Sequence, residues 1–331
     1  MSKTRVSIRG DRFYLNDKVL YEGKTWKGHS MEGLLMNSRM VQGIFDDLNP
    51  ITMSLFRYPD TKVWDPDRNT NEFIAAMPKW YEKGLRCFTL NMQGGQPGGF
   101  ENWYQNFVNR GYEADGSLHP GYMARLKRVL DAADEMGMIV ILGYFYWGQD
   151  QHLVNREYVE NAAKNLTRWL VEKDYTNVLV EVCNESDIAT TSHGILYYNH
   201  VHKLVESIKK EAGGKLAVSV SLVVHPEQTN ELLDVCDFVL IHGNGIHNPI
   251  RMGEIARAIR SNPRYRGTPI VNNEDNHFDF ELDINNMKEA VRNGIGWGYF
   301  DWSGYQKVPG SWEIDTPLKH GFFDLLEQMV K

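Results

Sequence analysis

The stretch NVLVEVCNESD, Asn177 to Asp187, decides how the rest of the chain is read. Five of its first six residues are uncharged and three are valine. A run this short and apolar predicts a strand buried on both faces rather than a helix. Glu181 interrupts it, and Asn184, Glu185, Ser186 and Asp187 end it. A buried strand thus delivers an amide and two carboxylates to whatever lies beyond its C-terminal end.

Working outward, strand and helix signals alternate on both sides. Strand-like segments are KTWKG (24–28), RCFTLN (86–91), IVILGYFYW (139–147), NVLVEVCN (177–184), LAVSVSLVV (216–224), DFVLIHG (237–243), PIVNNE (269–274) and GWGYFDW (296–302). Amphipathic stretches such as NEFIAAMPKWYEKGL, GYMARLKRVLDAADEMG and REYVENAAKNLTRWLVEKD fill the gaps, several ending on glycine as a helix C-cap does. Eight strands alternating with helices predict an α/β fold, a single (β/α)8 TIM barrel spanning residues 1–331. A doubly wound sheet would want a glycine-rich phosphate loop after its first strand, and KGHSMEGL supplies none. A hairpin-like stretch, RVSIRGDRFYLNDKVLYEG, precedes the barrel. Long insertions follow strand one (29–70, with the helix-like NSRMVQGIFDDLN) and strand two (from Gln93), at the end where barrel enzymes carry their sites.

With 42% hydrophobic and 24% charged residues, the 331-residue chain can bury a large core. A net charge of −7 and the lack of basic runs argue against nucleic-acid or membrane partners. No segment reads as a signal peptide or a membrane span. Cys87, Cys183 and Cys236 share no metal spacing and read as buried thiols, which fits a reducing, cytoplasmic compartment.

Glu185 ends strand four and Glu274 ends strand seven, roughly across the mouth of a closed barrel. Two carboxylates facing across a cleft about 5–5.5 Å apart are what retaining glycoside hydrolysis requires. Here the chain resembles the clan of retaining (β/α)8-barrel glycoside hydrolases that includes glycoside hydrolase family 5. Glu181-Val-Cys-Asn184-Glu185 is similar to the clan's strand-four ending, Glu274 to its strand-seven glutamate, and Trp302 to its strand-eight tryptophan. The resemblance, over residues 19–331, implies Glu185 as acid/base and Glu274 as nucleophile. It further implies Asn184 on the hydroxyl next to the anomeric carbon, Trp302 flooring the subsite of the cleaved sugar, a carbohydrate substrate and no cofactor or metal. Glu181 would be an interior carboxylate partnered by a base or amide. The chain departs from the clan in three places: Ser186 follows Asn-Glu where proline is usual, strand six lacks its tyrosine, and no arginine follows strand two. Arg39 or Arg57 would replace that arginine.

Further sugar-binding candidates stand at strand ends: Trp26 and His29 of strand one, Asn91 of strand two, Tyr144 and Tyr146 of strand three, His242 and Asn244 of strand six. Asp187 and Asp275 are the carboxylates that compete with the chosen pair. The glycine-rich QGGQPGG (93–99) lacks the Lys-Ser/Thr of a phosphate loop and reads as a cleft wall, with Trp103, Tyr104 and Phe107 beyond it. The insertions favour a pocket, hence attack on chain ends or short oligosaccharides. Two alternatives stay open: a metal-dependent barrel isomerase or hydrolase using Glu185, Glu274 and His242, and a barrel that binds sugar without cleaving it.

Overall fold

The computed structural model describes residues 2–98, 106–188 and 191–331. Three short strands, β1 (Val6–Arg9), β2 (Arg12–Leu15) and β3 (Lys18–Val19), form an antiparallel meander. Asn16 and Asp17, between β2 and β3, both have positive φ (49° and 64°). That is the type I′ turn a two-residue hairpin prefers. A second ribbon, β4 (Thr25–Trp26) and β5 (His29–Ser30), turns in the same way at Lys27 and Gly28 (φ 46° and 82°).

The segment KTWKG is therefore a hairpin and not the first barrel strand. That strand is β6 (Asn37–Arg39), inside what the sequence reads as an insertion and a helix. Its three polar residues face the barrel interior and its neighbours, so no apolar run marks it. The true connection after it starts at Met40 and holds two 3-10 turns, Val41–Ile44 and Met53–Phe56.

The remaining strands are β7 (Cys87–Asn91), β8 (Ile139–Tyr146), β9 (Val178–Asn184), β10 (Ala217–Ser219), β11 (Ser221–Leu222), β12 (Val239–His242), β13 (Ile270–Asp275) and β14 (Gly296–Tyr299). They are parallel, in the order β10-β9-β8-β7-β6-β14-β13-β12-β11. β10 and β11 are halves of one extended segment. The first half pairs with β9 and the second with β12, which closes an eight-stranded barrel.

Helices α1 (Pro66–Glu82), α2 (Pro120–Met136), α3 (Arg156–Glu172), α4 (His202–Ala212), α5 (Asn230–Val235), α6 (Ile250–Ser261), α7 (Asn286–Arg292) and α8 (Pro317–Val330) alternate with the strands. Asp65, Asn155, Thr229, Asn285 and Thr316 cap helix starts by accepting backbone N–H groups.

The barrel interior has two layers. Its lower layer is apolar: Cys87, Ile139, Ile141, Leu179, Phe238, Leu240 and Val271, closed from below by Phe13, Leu20 and Leu35. Above it the buried residues are polar, among them Asn37, Arg39, Thr89, Glu181, Ser219, Ser221 and Asn273.

Candidate active site

Two adjacent strands break their alternation at the same level. On β8, Tyr144 and Phe145 both pack into the outer core, and on β9 Val182 and Cys183 do so. Tyr146 and Asn184, which are cross-strand partners, then face the mouth. On β13 the pairing with β14 slips between Asn272 and Asp275. Such irregularities re-aim side chains at barrel rims. Glu274 turns into the mouth. Asp275 turns outward, where it accepts hydrogen bonds from Trp297 Nε1 (3.1 Å) and Asn286 Nδ2 (2.9 Å).

Glu185 follows β9 with φ 45°, a left-handed conformation that costs energy in a non-glycine residue. Its N–H donates to Ser221 Oγ (3.0 Å), which holds that conformation. Ser186 N–H donates to the Ser221 carbonyl (3.0 Å), a bond that proline in its place could not make.

The side chains converge tightly. Oxygens of Glu185 and Glu274 and a nitrogen of His242 all lie within 4.8 Å of one another. His242 Nδ1 is 2.9 Å from Glu185 Oε1 and 3.4 Å from Glu274 Oε2, and its Nε2 is 3.4 Å from Glu181 Oε1. Arg39 reaches three partners: Nη1 donates to Glu181 (3.0 Å), Nη2 to Asn184 Oδ1, and Nε pairs with Glu274. Asn244 Nδ2 donates to Glu274 (2.7 Å), and Trp147 Nε1 to Glu185 Oε2 (3.3 Å).

Burial alone would drive the proton off His242, but Glu274, Glu181 and Glu185 outweigh it and push the imidazole up to about 10. Burial likewise pushes Glu181 up, yet Arg39 and His242 overcome it and hold that carboxyl at about 2. Burial keeps Glu274 above the usual carboxyl range, against the pull of His242 and Arg39, and nearby Glu185 adds to the rise. Two cations, Arg39 and His242, thus face the carboxyls of Glu181, Glu185 and Glu274.

Above these groups lies a pocket of about 130 Å³. Its lining includes Glu185, Glu274, Asn184, Asn91, Tyr146, Asn244 and Trp302, all named from the sequence, and Arg39, named there as a substitute arginine. Gln96 also lines it, from the 93–99 stretch read in the sequence as a cleft wall, and Trp147, Gln306, Val41 and Phe300 line it without having been named. Trp302 stands edge-on to Phe300, with ring centroids 4.8 Å apart.

Four candidates lie elsewhere. Tyr144 faces α3, its hydroxyl 3.0 Å from Thr167 Oγ1, because residues 140, 142 and 144 point away from the barrel axis. Trp26 packs outside the barrel beneath Arg292, and His29 pairs with it in the ribbon, because KTWKG is not a barrel strand. His242 is buried beneath the pocket and touches the carboxylates instead of lining it. Asp187 is occupied in accepting from the N–H groups of Val223, Val224 and His225. Trp103 and Tyr104 lie outside the described residues, and Phe107 is buried against Phe45.

No family model matches the chain, and no curated protein matches it. Solved structures do. The chain is similar to a broad-specificity endoglucanase of glycoside hydrolase family 5 from Clostridium longisporum, at a TM-score of 0.59 and 12% identity, covering 90% of this chain and 96% of that one. It is similar to a β-glucosidase from Thermotoga maritima at a TM-score of 0.57 and 11% identity, covering 91% and 98%. A Bacteroides vulgatus chain assigned to the glycoside hydrolases matches at a TM-score of 0.58 and 12% identity. That match covers 94% of this chain, which spans 59% of the other. At these identities the likeness shows the (β/α)8 fold.

Proposed function

We propose that the protein is a retaining glycoside hydrolase. One observation carries the reading: oxygens of Glu185 and Glu274 stand within 4.8 Å across a small pocket at the C-terminal ends of the strands. Retaining enzymes hold their two carboxyls about 5–5.5 Å apart, and inverting ones leave about 6.5–9.5 Å for a water.

Glu274, oriented by Arg39 Nε and Asn244 Nδ2, attacks the anomeric carbon while Glu185 protonates the departing oxygen. The bond to the leaving group breaks as an ester to Glu274 forms. Glu185, now an anion, then takes a proton from water. That water's oxygen attacks the anomeric carbon and releases Glu274 as carboxylate. Asn184, fixed through Oδ1 by Arg39, keeps its amide for the neighbouring hydroxyl. A pocket of about 130 Å³ is below the roughly 300–1,000 Å³ of drug-sized sites. It suits one terminal ring, hence attack on chain ends or short oligosaccharides.

The test is the configuration of the first product. With an aryl glycoside that is turned over, proton NMR at early times should show the sugar released with its anomeric configuration retained. The opposite anomer would overturn the mechanism.

A divalent-cation site is the second reading, since Glu185, His242 and Glu274 could each offer one ligand atom. The donor set speaks against it. Arg39 already pairs with Glu274, and His242 Nδ1 needs its proton for Glu185.

A further inference from the structure

Two histidines outside the carboxylate cluster meet at the same end of the barrel. His247, in the connection after β12, is exposed, and the side chain of His277, in the connection after β13, is 19% exposed. His247 Nδ1 is 3.1 Å from His277 Nε2, and the rings cross at 70° with centroids 5.2 Å apart. Neither takes part in the proposed hydrolysis. Two ring nitrogens do not face one another as bare lone pairs; a hydrogen or a metal ion stands between them.

His277 is held from behind. Its Nδ1 lies 2.7 Å from Asp275 Oδ1, which also accepts the His277 backbone N–H (3.0 Å). Asp275 is fully buried, and its Oδ2 accepts from Asn272 Nδ2 (2.9 Å), Asn286 Nδ2 (2.9 Å) and Trp297 Nε1 (3.1 Å). Asn286 Nδ2 also stands 3.1 Å from His277 Nδ1, but its two hydrogens go to Asp275 and to the Ile246 carbonyl (2.9 Å). His277 Nδ1–H therefore donates to Asp275, and Nε2 is turned to His247. Gly243, on the connection that carries His247, leaves no room for a Cβ against Asp275, so the two connections lie in contact. A carboxylate behind a histidine fixes the ring's tautomer and makes its far nitrogen a stronger ligand. Here the Asp275 hydrogen bond raises His277 above the ordinary histidine value, against burial, and Asp279 adds to the rise.

The spacing suits a metal. Two imidazole nitrogens on one tetrahedral Zn²⁺, each at about 2.0–2.1 Å, stand about 3.3–3.4 Å apart. The pair at 3.1 Å reaches that value when exposed His247 moves by about 0.2–0.3 Å. His247 faces solvent, so water completes the coordination, as at zinc sites with an open position. Imidazole nitrogens suit Zn²⁺, Ni²⁺ and Cu²⁺, whereas Mg²⁺ wants oxygen. We propose that His247 and His277, backed by Asp275, form a two-histidine site for a divalent transition-metal ion such as Zn²⁺. It shares no residue with the cluster of Glu185, His242 and Glu274, and it does not depend on the hydrolase reading.

The experiment titrates the wild-type protein with zinc chloride and, separately, magnesium chloride near neutral pH, by calorimetry and by NMR of the histidine ring nitrogens. The first equivalent of Zn²⁺ should bind and perturb the rings of His247 and His277 before any other, and Mg²⁺ should perturb neither. His247→Ala removes an exposed side chain and should weaken that zinc binding about tenfold or more, since losing a ligand costs at least what losing its outer-shell partner does. His277→Gln should do the same, and His247→Ala decides the matter alone if His277→Gln does not fold. Zinc affinity unchanged in His247→Ala would overturn the proposal. So would the absence of zinc binding, or a first equivalent that perturbs His242 in place of His247 and His277.

Discussion

At the floor of the barrel, Phe13, Leu20 and Leu35 meet Ile139, Ile141, Leu179 and Val271 in a layer without a charge. A few residues further along the same strands, the mouth buries Arg39, Glu181, Glu185, His242 and Glu274 within contact of one another. The first layer stabilises by removing apolar surface from water, at about 25 cal/mol per Å². The second costs desolvation and is stable only because every charge has a partner. One scaffold thus separates the layer that holds it together from the charged layer that the proposed hydrolysis uses. Arg39 is the exception, since it serves both: it neutralises the interior Glu181 and aims Glu274.

The largest expected effect is at the mouth. Glu274→Gln should lower kcat/KM by about 10³-fold or more on any substrate found, because an amide cannot form the ester intermediate, while the far-ultraviolet circular dichroism stays unchanged. Activity near that of the wild type would remove Glu274 from the mechanism. Arg39→Met should blur the division by failing on both counts. It strands Glu181 and Glu274 as unpaired buried charges, so chemical denaturation should show a loss of about 3–5 kcal/mol together with lost activity. A stable but inactive variant would mean that Arg39 only aims the nucleophile.

Phe13→Ala tests the floor. The cavity should cost about 3 kcal/mol by the same denaturation assay, with kcat for the folded fraction unchanged. A change in kcat would show that the two layers are coupled.

The pH dependence of stability is smaller, and its sign follows from the shifts. His242 is raised to about 10 in the fold. Its contribution is therefore complete below the unfolded value of about 6.5 and is lost as pH rises through about 10. Glu181 is lowered to about 2, so its contribution is present above about 4.3 and is lost as pH falls towards 2. Thermal midpoints measured from pH 7 to 10.5 should fall more steeply for the wild type than for His242→Gln. Equal slopes would mean that His242 is neutral between its carboxylates. The smallest expected effect is none: exhaustive EDTA treatment should leave hydrolysis intact. Activity lost to the chelator and restored by Mg²⁺ or Mn²⁺ would transfer Glu185, His242 and Glu274 to the cation reading.

The strand before Glu185 and the strand ending in His242 were legible because buried parallel strands leave continuous apolar runs, as in NVLV and VLIH, whereas the strand of Glu274 shows only Ile270-Val271 before it turns polar. β6 was not legible. Its Asn37, Ser38 and Arg39 are polar because that strand faces the charged layer, so the rule that finds the other strands finds the ribbon at Trp26 instead.

From its sequence alone this protein declares an alternation of strands and helices, and two glutamates placed to end the fourth and seventh barrel strands. Those follow from local pattern, which depends only on near neighbours along the chain. Tertiary structure decided which side chains meet. Tyr146 enters the pocket and Tyr144 does not, because β8 sends two successive residues outward. His242 lies under the carboxylates, and Arg39 reaches Glu181, Asn184 and Glu274. Gln96 and Gln306, far apart in the sequence, line one pocket. Closure of the barrel brings such positions together, and a period-two or period-3.6 pattern carries no information about a contact of that range.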